Sequence, residues 1–65
     1  MFTVTSYERY SPEPSVEYYE TIDDICYRWA TYADVVIENV CELNDGDCVQ
    51  FMYDSYTTLE VCRGD

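Results

Sequence analysis

The sequence predicts a single small α+β domain in which one amphipathic helix packs on a four- to five-stranded antiparallel sheet. Three observations carry that expectation. One segment alone shows a 3.6-residue apolar period, β-rich runs flank it on both sides, and turn residues separate those runs. Read along the chain, the order is ββαβββ within one domain over 1–65. It comprises a hairpin over 1–20, a helix over 21–34 and sheet strands over 35–62. An order of this kind lays the helix across one face of the sheet.

Each element has its own signal. Phe2 and Val4 alternate with Thr3 and Thr5 ahead of the turn residues Ser11-Pro12-Glu13-Pro14, and Ser15 to Glu20 is rich in Val and Tyr, so a first hairpin is expected. Ile22, Ile25, Cys26, Trp29, Ala30 and Ala33 then form one helical stripe. Thr21 is the expected N-cap, and Asp23 and Asp24 place negative charge in the first turn, where unpaired amides and the helix dipole favour it. A helix of about 18 Å is too short to persist alone, so it must lie on the sheet. Such a helix covers one face and leaves the other open. Val35 to Leu43 and Cys48 to Tyr53 read as strands around Asn44-Asp45-Gly46-Asp47, whose Asp-Gly pair is a strong hairpin signal. Asp54-Ser55 makes a further turn, and Thr57, Leu59 and Val61 alternate against Thr58, Glu60 and Cys62.

Composition bounds the function. The 65 residues include 14 acids, three Arg, no Lys and no His, for a formal net charge of −11. Direct binding to nucleic acid or to an anionic membrane is disfavoured by that balance. No apolar run approaches the roughly 20 residues of a membrane span, and the chain does not open on the basic and apolar regions of a signal peptide, so a cytoplasmic protein is expected. In that compartment Cys26, Cys41, Cys48 and Cys62 are expected to be reduced and to pack as small hydrophobes. A disulfide-stapled extracellular domain is the alternative.

Catalysis is not expected. Without His or Lys the usual general bases, Schiff-base amines and phosphate-binding side chains are missing, which leaves paired carboxylates or a Cys with no general base near it in the sequence. No cofactor or metal is expected either. There is no Cys-x-x-Cys pair for zinc, and Asn44-Asp45-Gly46-Asp47 lacks the ligand ladder and closing Glu of a calcium loop, so it reads as a turn. Arg63-Gly64-Asp65 matches an integrin-type tripeptide and reads as a chance match in a cytoplasmic chain.

The charge itself is the functional signal. Solubility asks for a net charge of only about 2 to 8 in magnitude for a small domain, and a larger charge destabilises the compact state by self-repulsion. The acids are spread through every element rather than gathered in a tail. A nucleic-acid mimic and a salt-adapted protein both use such an excess, and an acidic coat with no dedicated partner is the third reading. Eight Tyr and four Cys sit poorly with salt adaptation. On a strand, Glu38 and Glu42 would stand about 13 Å apart on one face, a row able to imitate a charged backbone. Eight Tyr also exceed what so small a core can bury, and exposed Tyr suits interface cores. The expected partner-binding residues are therefore Glu17, Glu20, Glu38, Glu42, Asp45, Asp47 and Glu60, with Tyr19 and Tyr53 as aromatic anchors.

In length, acidity, a lone amphipathic helix on a small sheet and the absence of catalytic residues, the whole chain resembles the acidic early proteins with which bacteriophages disable host machinery. It is most similar in character to DNA-mimicking inhibitors, anti-CRISPR proteins in particular, with anti-restriction proteins and inhibitors of host RNA polymerase beside them. No motif carries the resemblance. It implies a monomer or homodimer in the host cytoplasm that occupies a basic DNA- or RNA-binding surface, on a CRISPR effector, a restriction enzyme or a polymerase, and so excludes the nucleic acid. The alternative is a protein-interaction module that pairs with itself or with a non-nucleic-acid partner through a sheet edge or through Tyr27, Arg28 and Tyr32 on the helix.

Overall fold

The computed structural model describes residues 1–64 and forms an α+β unit of one four-stranded antiparallel sheet and two short helices. Asp65, and with it the Arg63-Gly64-Asp65 tripeptide, lies outside the described residues. The strands are β1 (Phe2–Glu8), β2 (Ser15–Tyr19), β3 (Cys48–Met52) and β4 (Thr57–Arg63), and they lie side by side in the order β2-β1-β4-β3. Between β2 and β3 run α1 (Ile22–Arg28), a 3₁₀ turn (Ala30–Tyr32) and α2 (Ala33–Val40). The order is thus ββααββ, with β1 and β4 paired at the centre.

Register sorts the side chains. Phe2, Val4 and Ser6 of β1 and Thr57, Leu59 and Val61 of β4 turn to the helices and are buried, and their neighbours in sequence turn to the opposite face. Ile25 of α1 and Val36 and Val40 of α2 close over them, all fully buried. Trp29, Leu43 and Tyr53 complete the core, with Tyr19, Ile22, Cys26, Val49 and Phe51 packed around it.

Two expectations change here. Val35 to Leu43 is not a strand: its first six residues belong to α2, and the chain reaches Leu43 through the helix C-cap. Val and Ile favour strands because their branched Cβ restricts χ1, but the penalty in a helix is only a few tenths of a kcal/mol each. The pattern Ala33, Val36, Val40 and Leu43 is helical, and burying two Val side chains outweighs propensity. The single helix over 21–34 is accordingly two. Its stripe holds from Ile22 to Trp29 and then fails, since Ala30 is exposed and Trp29 leaves helical geometry at φ −110°, ψ 52°.

The kink is clasped to the sheet by aromatic groups. Tyr53, just past β3, packs edge-on against Trp29 at 5.1 Å and against Tyr32 at 5.5 Å between ring centroids. Its hydroxyl accepts the Tyr32 backbone N–H at 3.1 Å, satisfying a donor that the break in the helix would otherwise strand.

Asn44-Asp45-Gly46-Asp47 does turn the chain, with Gly46 at φ 90°, Asp47 N–H donating to the Asn44 carbonyl at 3.0 Å and Asp47 Oδ2 accepting the Asn44 N–H at 3.1 Å. It joins α2 to β3, however, and is not a hairpin between strands. The hairpin turn is Asp54-Ser55, where Asp54 Oδ1 accepts the Tyr56 N–H at 2.8 Å.

That hairpin also corrects the expectation of four reduced, buried cysteines. It sets Cys48 directly opposite Cys62, with Cα atoms 4.0 Å apart, and the two form a disulfide across β3 and β4. Cys41 is an exposed free thiol and Cys26 a half-buried one.

Two outcomes follow from this arrangement. Tyr53→Phe keeps the ring packing but strands the Tyr32 N–H, so the urea midpoint should report a loss of about 1–2 kcal/mol. In thiol titration, the native protein should react rapidly at Cys41 alone. Denatured without reductant it should show two thiols per chain, and four only after reduction.

Candidate functional site

Most carboxylates lie on the helices and connections, whereas the exposed tyrosines are divided between the helices (Tyr27, Tyr32) and the open side of the sheet (Tyr7, Tyr18). Three acids are explained by the helices they begin: Asp23 and Asp24 lie in the first turn of α1, whose N-cap Thr21 accepts the Asp24 N–H at 3.2 Å, and Asp34 lies in the first turn of α2. Glu38 and Glu42 have no such explanation. They stand in the C-terminal half of α2 and just beyond its cap, both exposed, where no basic residue occupies the last turn. Carboxylates there oppose the helix dipole at about 0.3–1 kcal/mol each, and like charges one turn apart add a smaller cost. Their spacing is that of a helix, about 6 Å along the axis, and not the 13 Å of a strand. Asp45 and Asp47 continue the acidic run into the turn toward β3.

The other expected residues are dispersed. Glu17, at the β2 edge, pairs with Arg28 of α1 at 3.5 Å, and Asp45 pairs with Arg63 at 3.4 Å. Asp47 is committed to its turn through Asn44. Glu20 is exposed between β2 and α1. Glu60 points to the sheet face opposite the helices, away from Glu38 and Glu42. Tyr53 is 8% exposed and belongs to the core, so it is not a surface anchor, because the kink between α1 and α2 needs its ring and its hydroxyl. Tyr19 is half-buried against the same core. Of the helix residues in the alternative reading, Tyr27 is 90% exposed, Tyr32 flanks Tyr53, and Arg28 is tied between Glu17 and the Trp29 ring, 4.3 Å from its centroid.

The open sheet face is expected from the sequence, but of the predicted partner-binding residues only Glu60 lies in its rows, and strand alternation is the signal that identifies the others. Tyr18, Thr3, Cys62 and Cys48 form one cross-strand row, Val16, Thr5, Glu60 and Gln50 the next, and Tyr7, Thr58 and Met52 a third. Within these rows Glu60 is the sole charged residue. At one end the face runs into Arg9, Tyr10 and Tyr56, with the Tyr10 and Tyr56 rings 5.9 Å apart and Arg9 over the Tyr10 ring at 5.8 Å.

Among the described residues no group of three or more His, Cys, Asp or Glu is placed to hold a metal ion, and no helix is long and apolar enough to cross a membrane. No protein-family model, curated protein or solved structure matches the chain.

Two side chains have shifted acidities. Burial, then the hydrogen bond and the charge of Glu17, raise Tyr19 above the usual tyrosine range, against a smaller opposing effect of Arg28. Burial, then the charge of Asp23, raises the Cys26 thiol. In both, folding favours the neutral form, so the stability each contributes is complete below the unfolded-state pKa and is lost as pH rises through the folded one. The urea midpoint should fall as pH is raised beyond about 9, and Tyr19→Phe should reduce that fall.

Proposed function

We propose that the protein is a small inhibitor that occupies a basic nucleic-acid-binding surface of another protein, with carboxylates standing where phosphates would. One observation supports this reading above the others. Glu38 and Glu42 are held together on the solvent side of α2 at a position the helix dipole disfavours, with no cation in that turn to relieve them. A cost that folding does not recover has its compensation in a partner. Asp45 and Asp47 extend the same stretch of surface, and Arg63 beside Asp45 restrains one of its carboxylates.

The mechanism is long-range attraction followed by close pairing. A net charge of −11 steers the protein toward a basic groove and gives association that weakens steeply with salt. The carboxylates of Glu38 on α2 and Glu42 just past its cap, one helical turn apart in sequence, then meet neighbouring Lys or Arg side chains that otherwise hold a nucleic-acid backbone. The chemistry is binding alone, with no catalytic step and no cofactor. A CRISPR effector, a restriction enzyme and an RNA polymerase each offer such a groove, the first being the target favoured by the resemblance in character.

The test is affinity capture from bacterial lysate with the tagged protein. A nucleic-acid-binding protein should be retained and should leave the matrix both in about 0.5 M salt and on addition of duplex DNA. Glu38→Lys with Glu42→Lys should abolish that capture while leaving the circular dichroism spectrum unchanged. A partner that survives both elutions, or capture indifferent to the charge reversal, excludes phosphate mimicry by α2.

A further inference from the structure

The open sheet face carries a self-complementary charge pattern. Arg28 and Arg63 each have a carboxylate partner, whereas Arg9 has none among the described residues and only stacks over Tyr10. Glu60 is likewise without a cation, between Thr5 and Gln50 in the middle row of the face. Arg9 donates its backbone N–H to the Tyr56 carbonyl at 2.8 Å, so it continues the β1–β4 ladder opposite Tyr56, and it lines the same surface depression as Tyr7, Met52 and Thr58. Tyr56 is four residues from Glu60, which puts Arg9 and Glu60 about 13 Å apart along the strands. Their midpoint is the row formed by Tyr7, Thr58 and Met52.

We propose that two copies of the chain pair face to face through the open sheet, about a two-fold axis that crosses the strands over the Tyr7–Thr58 row, so that Arg9 of each copy meets Glu60 of the other. That operator exchanges the two charged positions, and one axis makes two ion pairs. Stacked sheets lie about 10 Å apart with their strands nearly aligned, a gap that an Arg and a Glu side chain span together. The residues on the axis are those a dimer would bury: Tyr7 is 42% exposed and Met52 67% exposed, and both meet their own images.

Charge selects this face over the rest of the surface. Two bodies of −11 repel, and the rows of the open sheet are where they approach with a single carboxylate each, which Arg9 of the opposite copy neutralises. The size of the face sets the strength. Four strands span about 19 Å and five residues about 17 Å, which is small beside the roughly 800 Å² per partner of a standard interface, so the dimer forms with rising concentration and is not obligate. Because the contact is isologous it closes at two copies.

Charge swapping tests the pairing directly. All variants carry Cys41→Ser, which removes the exposed thiol and any dimer that it would cross-link. Sedimentation equilibrium in about 0.3 M NaCl, which shortens the repulsion between the two bodies, follows the mass from about 0.01 to 1 mM. The C41S protein should pass from monomer to dimer over that range. Arg9→Glu and Glu60→Arg, each alone, face like charges across the axis and should weaken the dimer at least tenfold. The double swap R9E/E60R restores opposite charges and should return the affinity to within a few-fold of the starting protein. Circular dichroism checks that each variant keeps its fold, and both positions are on the surface. A protein that stays monomeric to 1 mM overturns the proposal and leaves the face to a partner of another kind. Single swaps without effect, or a double swap that does not rescue, also overturn it.

Discussion

The structure depends on the clasp at Tyr53. Two short helices can cover a four-stranded sheet only if the chain breaks between them, and a break frees backbone donors from the helical ladder. Tyr53 answers both needs, since its ring fills the angle between Trp29 and Tyr32 and its hydroxyl takes the Tyr32 N–H. With the kink held there, Ile25 of α1 and Val36 and Val40 of α2 reach the same apolar face of β1 and β4. A straight helix of the same length would present one stripe and leave part of the sheet uncovered.

That arrangement divides the surface. Acids on the helices and connections surround the covered side, and the opposite face of the sheet holds threonines, tyrosines, Val16, Met52 and the Cys48–Cys62 disulfide around one carboxylate. The helix-side charges at Glu38 and Glu42 work against α2, while those at Asp23, Asp24 and Asp34 work for their helices. Counting acids treats all of these alike. Position along a helix separates the carboxylates that serve folding from those that burden it, and the second group supports a role outside the molecule.

The two surfaces suit different distances. In the proposed function, the carboxylates of Glu38 and Glu42 would act through a field that extends for about a Debye length and would steer approach to a cationic partner. The open sheet acts only on contact, where pleated rows of Tyr, Thr and Met demand a flat, matching surface. The two proposals therefore use separate surfaces, and a dimer through the sheet would leave Glu38 and Glu42 of both copies facing solvent on opposite sides.

Local pattern determined much of the fold. The α+β class, the hairpin of β1 and β2, the N-cap at Thr21, the alternation of β4 and the turns at Asn44 to Asp47 and at Asp54-Ser55 follow from neighbours in sequence, because capping, alternation and turn chemistry act over a few residues. The disulfide needed the register itself: the hairpin is centred on Ser55, seven residues from both Cys48 and Cys62, whereas a two-residue turn at Asp54-Ser55 would have set Cys48 opposite Val61. Tertiary structure decided the rest. Whether Val35 to Val40 forms a strand or a helix turned on which apolar face remained to be covered, a long-range packing energy larger than the propensity of Val and Ile. The same energy took Tyr53 into the core, sent Glu60 to the face opposite Glu38 and Glu42, and left Arg9 beside that face. The partner-binding set read from the sequence is dispersed for this reason: a carboxylate's type is written at its own position, but its neighbours in space are chosen by the packing of the whole chain.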